Sequence, residues 1–150
     1  MKALKEGMNH MQLAETAMER VSALLDAEVE SIGGTHAVKK SRTLYICNEK
    51  LCFACTLELD ISIKQLRPDG KALNFAEILL LPEEVEAFTS ALVENKIPLP
   101  TSFRQWTVVN PHIVAVNLET LEPPEHFAGR LAAALELVEP KEGLLDFKTS

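Results

Sequence analysis

The sequence predicts an α+β protein in which helices pack on a mainly antiparallel sheet. Segments with alternating apolar and polar residues, the period of a strand, stand beside segments with an apolar stripe at helical spacing. From Leu73 onwards the segments follow the order β-α-β-β-α, which is most of a ferredoxin-like split βαβ unit. An N-terminal helix and a β-hairpin precede this unit, and we expect them to extend or cover its sheet.

The composition is that of a folded, acidic protein. Of its 150 residues 47% are apolar, and the formal net charge at pH 7 is −7. This length favours a single domain, 1–150, that can bury a core without the help of disulfides or metal ions. Nucleic acids and anionic membrane surfaces bind clustered Lys and Arg, whereas the densest basic cluster here is Lys39, Lys40 and Arg42. We therefore expect neither as a partner.

The expected location is the cytoplasm. Glu6, His10 and Glu15 interrupt the apolar residues near the N-terminus, so the sequence lacks the hydrophobic region of a signal peptide. No apolar run approaches the roughly 18 residues that a membrane span requires. The odd number of cysteines, three, does not suggest a secreted disulfide scaffold.

The first segment, within 1–32, predicts a helix from about Lys2 to Val29 that Gly33-Gly34 ends. Its apolar stripe consists of Met8, Met11, Ala14, Met18, Val21 and Leu25. A one-sided stripe in a single domain faces its own core, which is the expectation here. The alternative is a methionine-rich helix that docks a partner or a second subunit.

A β-hairpin comes next. We predict a short strand at Thr43–Cys47, a turn over residues 48–50, and a long strand from Leu51 to Lys64. The long strand has one apolar series, expected to be buried along its whole length, and one polar series. The apolar series is Leu51, Phe53, Cys55, Leu57, Leu59, Ile61 and Ile63.

The β-α-β-β-α unit follows the turn signal Pro68-Asp69-Gly70. Proline and two carboxylates suit the first turn of its first helix, because proline has no N–H to lose there and acids favour the positive end of the dipole. The expected elements are a strand at Leu73–Leu81, a helix from Pro82, strands at Ser102–Val109 and His112–Glu119, a helix from Pro123, and a frayed tail at 141–150.

The cysteines have the spacing C-x4-C-x2-C, at Cys47, Cys52 and Cys55. Residues three apart on a strand point to opposite faces, so Cys52 and Cys55 cannot share a metal. Cys47 and Cys52 flank the turn and could form a disulfide, but in a reducing cytosol we expect ordinary thiols. No two histidines have helical metal-binding spacing and no phosphate-binding loop is present, so no metal or cofactor is predicted.

Glu77 is a carboxylate within an apolar strand. By alternation it shares a face with Phe75 and Leu79. Such a carboxylate must be paired, protonated or open to a pocket. A salt bridge or an exposed edge would make it structural, and a pocket would make it a site residue.

Three segments between Phe75 and Leu135 resemble the bacterial LppY/LpqO-like family, a domain of unknown function. They are Glu77 to Val85, Ala91 to Ile97, and Pro111 with Ala128 to Leu135. The residues at 32–46 fit more loosely. The resemblance covers well over half of the chain.

The departures from that family concern its histidines. Its His-Asn-His motif would fall on Phe103-Arg104-Gln105 and a further histidine on Asn117, while Glu77 replaces an aspartate. If the family's histidines bind a metal or move protons, this chain lacks those groups, because amides are weak ligands and do not titrate near pH 7.

The leading hypothesis is therefore a non-catalytic domain that binds a small polar molecule or a protein partner. The candidate site residues are Glu77, Arg104, Gln105, Asn117 and Glu119, with Gln105, Asn117 and Glu119 expected on one face. An ordinary solvated sheet face is the alternative explanation of this cluster. Two other functions remain open: a metal-dependent hydrolase that uses Glu77 and Glu119, and a structural protein that dimerises through the methionine stripe or the sheet edge.

Overall fold

A computed structural model describes residues 10–47, 51–110 and 112–138 of the chain. Within these residues, three α-helices lie against a six-stranded antiparallel sheet of order β1-β2-β3-β4-β6-β5, which confirms the α+β class. The elements are α1 (His10–Leu25), β1 (Val29–Ile32), β2 (Thr35–Cys47), β3 (Cys52–Lys64), β4 (Ala72–Leu80), α2 (Val85–Glu94), β5 (Arg104–Val109), β6 (Val114–Glu122) and α3 (Pro124–Glu136). The predicted turn at 48–50 and tail at 141–150 lie outside the described residues.

The second half of the fold is a split βαβ unit. β6 lies between β4 and β5 and is antiparallel to both, so β4 and β5 are parallel to one another. α2 makes the crossover between these two strands, as the predicted β-α-β-β-α order requires. β3, β2 and β1 continue the same sheet beyond β4, so the N-terminal hairpin extends it.

The N-terminal segment differs from its prediction. α1 ends at Leu25, where Asp26 adopts a left-handed conformation with φ 54° that terminates the helix. A strand, β1, follows, and Gly33-Gly34 forms the two-residue turn of the β1–β2 hairpin rather than the end of a helix. Both glycines have positive φ, 57° and 84°, as a type I′ turn demands.

All three helices pack on one face of the sheet. Met18, Val21 and Leu25 of α1 are buried in the same core as Phe88 of α2 and Leu131 of α3, so the stripe from Met18 to Leu25 faces the protein's own core. Burying side chains of this size stabilises the fold by about 1.5–3 kcal/mol each. Met11, by contrast, is 68% exposed, and Met8 lies outside the described residues.

Two basic residues of β2 hold helix ends against the sheet. The Nζ of Lys40 donates to the Leu25 carbonyl at 2.8 Å, and Arg42 donates to the Val138 carbonyl at 3.1 Å. Carbonyls at a helix C-terminus lack partners within the helix, so cations suit them. Arg42 also forms a two-bond ion pair with Glu84, whose carboxylate accepts the Leu81 N–H in the 3₁₀ turn Pro82–Glu84.

The β2–β3 hairpin extends past the rest of the sheet. The ladder between β3 and β4 reaches only to the pair Leu59–Ile78, and earlier residues of β3 pair with β2 alone. The predicted burial of the whole apolar series is therefore wrong at its start, because neither the helices nor β4 reach that far. Leu51 is 60% exposed and Phe53 is 49% exposed.

The cysteines lie on this hairpin. Cys47 and Cys52 are partners in the β2–β3 register, Cys52 is disulfide-bonded, and Cys55 is a free, half-buried thiol. The prediction of ordinary thiols is thus wrong for Cys52. A hairpin brings directly opposed residues within bonding distance, and the register makes this pair directly opposed.

Candidate functional site

The sheet face opposite the helices carries the candidate site. Among the described residues, no helix packs on this face, and its side chains alternate with those of the core. On β4 the core face consists of Ala72, Asn74, Ala76, Ile78 and Leu80. Phe75 and Glu77 consequently point to the opposite side, which we call the open face.

One row of polar and aromatic side chains crosses the open face. Lys39, Asp60, Glu77, Asn117 and Trp106 are successive partners across β2, β3, β4, β6 and β5. Directly opposed residues of an antiparallel pair share a face, with Cβ atoms about 4.5–5.5 Å apart. The register therefore brings five side chains from distant parts of the chain into one line.

A second row lies beside the first. Ser62, Phe75, Glu119 and Arg104 are successive partners across β3, β4, β6 and β5. The Lys64 ammonium lies 5.7 Å from the centre of the Phe75 ring, within the range of a cation–π contact.

A hollow of about 340 Å³ opens between these rows. Its principal lining side chains are Lys39, Asp60, Phe75, Glu77, Trp106 and Asn117. Trp106 is the chain's single tryptophan and is 45% exposed. A concave surface with an aromatic wall and a few polar groups is the usual form of a small-molecule site.

The polar groups of the hollow do not satisfy one another. Within residues 10–47, 51–110 and 112–138, the side chains of Asp60, Glu77 and Asn117 make no hydrogen bond or ion pair. Asp60 and Glu77 are direct partners in the register, and like charges in that position destabilise a sheet. The arrangement leaves two carboxylates and an amide available to a ligand.

The structure brings together some of the predicted site residues. Glu77 and Asn117 are directly opposed and both line the hollow. Arg104 and Glu119 are directly opposed in the second row, at the border of the hollow.

The expectation that Gln105 shares their face is wrong. Val109 pairs with Val114, so odd-numbered residues of β5 oppose even-numbered residues of β6, and Gln105 lies opposite Leu118 of the core face. Its grouping with Asn117 and Glu119 rested on alternation along each strand, which does not determine the register between strands.

Sequence reasoning missed Lys39, Asp60 and Trp106. The signal for Trp106 was available, since it alternates with Arg104 on the same strand. Asp60 belongs to the polar series of β3, but nothing in the sequence indicates that β3 pairs with β4 so that Asp60 opposes Glu77.

The possibilities for metal binding are restricted. Among the described residues, no group of three or more His, Cys, Asp and Glu side chains could hold a metal ion. Glu77 and Glu119 lie in adjacent rows, not opposite one another. A hydrolase site built on these two acids would need a further ligand.

A second depression lies between α1 and the β1–β2 hairpin. Its volume is about 690 Å³, and it is lined by methionine side chains and by Ser31 and His36. The Ser31 hydroxyl and the Nδ1 of His36 are 2.6 Å apart. His36 is buried, with 8% exposure, so this histidine is part of the packing of β2.

No helix in the described parts of the chain has the length and apolar character needed to cross a membrane.

The fold and the open face define an α+β domain whose antiparallel sheet has one helix-covered side and one accessible side. Residues 19–137 match the model of the family described as Domain of Unknown Function (DUF1259), and the chain belongs to that family. No curated protein matches the chain, and no solved structure does.

Proposed function

We propose that the protein binds a small polar molecule, without catalysing a reaction, in the hollow of the open face. The observation that carries this proposal is the row from Lys39 to Trp106, in which side chains of both charges, an amide and an indole surround about 340 Å³ of accessible space. Ordinary solvated sheet faces bear scattered polar residues, whereas here the polar groups converge on a concavity.

The character of the side chains favours binding over turnover. Asn117 is an amide, which can donate and accept hydrogen bonds but does not titrate near pH 7. We further propose that the chain is a divergent LppY/LpqO-like member without the His-Asn-His motif. At the positions where that motif would fall, Phe103 packs against the core, and Arg104 and Gln105 lie on opposite faces of β5.

Trp106 makes this proposal testable by fluorescence. Because it is the only tryptophan, a ligand in the hollow changes the indole emission directly. A library of small polar fragments is titrated, and amide NMR spectra locate the perturbed strands. We expect hits that perturb β4, β5 and β6 together.

Variants of the hollow provide the matching control. Glu77→Ala with Asn117→Ala is expected to abolish the hits, because both side chains line the hollow. Glu86→Ala with Ser90→Ala, both exposed on α2 on the other side of the sheet, leaves them unchanged. Fragments that bind the first variant as well as the unaltered protein would refute this site.

The hydrolase alternative has its own test. Metal analysis of protein purified without added metal, together with thermal shifts on addition of zinc or manganese, discriminates between binding and metal chemistry. Stoichiometric metal that is lost in Glu77→Ala would favour the hydrolase.

A second candidate function, dimerisation, is favoured by the edge strand β5. All six of its residues are exposed, and Val108 and Val109 are 51% and 70% exposed. Long apolar edges invite pairing with another strand, and proteins protect them by charge or by covering. The opposite edge, β1, has only four residues and therefore offers a shorter pairing edge than β5.

For this second candidate the expected partner is β5 of another copy. Light scattering across a concentration series measures the oligomeric state, and Val108→Lys is expected to convert a dimer to a monomer because it places a charge on the edge. A strict monomer at all concentrations would exclude this candidate.

A further inference from the structure

We infer that the ligand of the hollow is an organic cation: an ammonium group attached to a compact apolar or hydroxylated body. This inference rests on the proposed function and specifies its ligand class. It is drawn from the aromatic wall, the opposed carboxylates and the size of the hollow.

The aromatic side chains of the open face can attract a cation. The Lys64 ammonium lies 5.7 Å from the centre of the Phe75 ring, so one ring of this face already interacts with an ammonium. Trp106 is 45% exposed, and tryptophan binds cations more strongly than the other aromatic side chains. Among the described residues, no cation–π contact involves Trp106, so its ring is available to a ligand.

The carboxylates supply the complementary charge. Asp60 and Glu77 oppose one another directly, and neither forms an ion pair within the described residues. A cation bound between them and Trp106 would be attracted by both carboxylates and would reduce their mutual repulsion. Among the lining side chains, Lys39 is the single positive charge against the two carboxylates. At the border, the Lys64 ammonium lies on the Phe75 ring and Arg104 is directly opposed to Glu119.

The amide and the dimensions constrain the rest of the ligand. Asn117 is directly opposed to both Glu77 and Trp106, and its side chain offers a donor and an acceptor to a hydroxyl or carbonyl group. A volume of about 340 Å³ accommodates a compact molecule. The net charge of −7 attracts cations to the protein from solution.

The experiment compares two probes of the same shape. Choline and its carbon isostere, in which a carbon atom replaces the charged nitrogen, are titrated against the protein at low ionic strength while Trp106 fluorescence is followed. The hollow is expected to bind choline at least about tenfold more tightly than the isostere, because only choline gains the cation–π and carboxylate attractions.

Charge-removing variants locate the bound cation. Glu77→Gln, which keeps the shape of the side chain, is expected to weaken choline binding about five- to tenfold and to leave isostere binding unchanged. Glu86→Gln on α2 is the control and leaves the binding of both probes unchanged. Thermal unfolding of each variant verifies that it is folded, as expected for exposed positions.

The outcomes separate this inference from the proposed function. Equal binding of both probes, or weaker binding of choline than of the isostere, would overturn the cation inference, and polar fragments that still bind the hollow would leave the proposed function standing. An unchanged choline affinity in Glu77→Gln would also overturn it. If neither the probes nor any polar fragment binds, both proposals fail.

Discussion

Arg130 and Glu122 form a buried, two-bond ion pair that joins α3 to the end of β6. Two guanidinium nitrogens of Arg130 donate to the two carboxylate oxygens of Glu122, each at 2.8 Å, and the side chains are only 1% and 5% exposed. Arg130 also donates to the carbonyls of Ile97 and Pro98, in the connection that leads to β5. The ion pair therefore fixes the segment that precedes β5, and so it helps to position Trp106 on the open face.

A neighbouring buried amide strengthens the same region. The Nδ2 of Asn74 lies 3.0–3.2 Å from the carbonyls of Ala72 and Glu122 and from the Thr120 hydroxyl, and these three acceptors share its two hydrogens. Just before β5, the Ser102 hydroxyl donates to the Leu121 carbonyl of β6 and accepts the Leu121 N–H. These two hydrogen bonds fix the start of β5. The placement of the β5 side chains on the open face thus depends on polar contacts made elsewhere in the sheet, including contacts buried on its helical side.

Breaking the Arg130–Glu122 pair is expected to destabilise the protein strongly. Arg130→Met should lower the free energy of unfolding by about 3–5 kcal/mol, because it leaves an uncompensated buried carboxylate. Urea denaturation measures the change. The control is Arg67→Met, which removes an exposed, solvent-screened pair with Asp69 and should cost far less. Equal losses in the two variants would contradict this account.

Two glycines should respond in opposite directions to alanine. Gly34→Ala places a side chain at φ 84°, in the β1–β2 turn, and should lower the free energy of unfolding by about 1–2 kcal/mol. Gly129→Ala lies in α3, where the new Cβ would meet the Ile97 side chain at an ordinary 3.7 Å. It should stabilise the protein by about 0.5–1 kcal/mol through helix propensity. Thermal or urea unfolding measures the direction of both changes in stability. A Gly34→Ala variant that is more stable than the unaltered protein would contradict the turn conformation.

The disulfide at Cys52 predicts which thiols react. In protein denatured without reductant, a thiol reagent followed by peptide mass spectrometry should label Cys55 and leave Cys52 unlabelled, and reduction should make Cys52 reactive. Cys55→Ser removes the Cys55 label and serves as the control. A labelled Cys52 without reductant would show that it is not disulfide-bonded in solution.

Asp69 gives a pH-dependent contribution to stability. The Lys71 backbone N–H donates to its carboxylate at 2.9 Å, and this hydrogen bond, assisted by the positive charges of Arg67 and Lys71, holds the pKa of Asp69 below its ordinary value. A carboxyl group whose pKa is lowered by folding stabilises the native state above its unfolded pKa and loses that contribution as pH falls through the folded pKa.

Asp69→Asn tests this contribution. The variant should be less stable than the unaltered protein at neutral pH, and the difference should shrink as the solution is acidified through the carboxyl range. Unfolding midpoints measured across pH provide the comparison, and NMR titration of the Asp69 carboxyl carbon gives its pKa directly. A difference that is independent of pH would contradict the assigned cause.

The elements that the sequence predicted correctly are those with strong local signals. Pro82, Glu83 and Glu84 mark the start of α2, and the Pro68-Asp69-Gly70 turn separates β3 from β4. The errors arose where the same local signal serves two structures. Gly33-Gly34 ends a helix or makes a hairpin turn with equal local preference, and the pairing of β1 with β2 decides for the turn.

The candidate site was predictable only in part, for a related reason. Glu77 was named as a candidate because a carboxylate on an apolar strand is visible in the sequence, and Arg104, Asn117 and Glu119 were named from the family resemblance, near the positions of that family's histidines. Their spatial arrangement could not be predicted, since a shift of one residue in the register moves a side chain such as Gln105 to the other face.

The sequence by itself determined the fold class and which face of each helix and strand is apolar, since both follow from the periodicity of apolar residues along one segment. The tertiary structure alone decided that Asp60, Glu77, Asn117 and Trp106 form one line and that Arg130 is buried against Glu122. These relationships join residues far apart in the chain, and they depend on strand register and helix docking. Both are selected by the packing of the whole domain rather than by any local pattern.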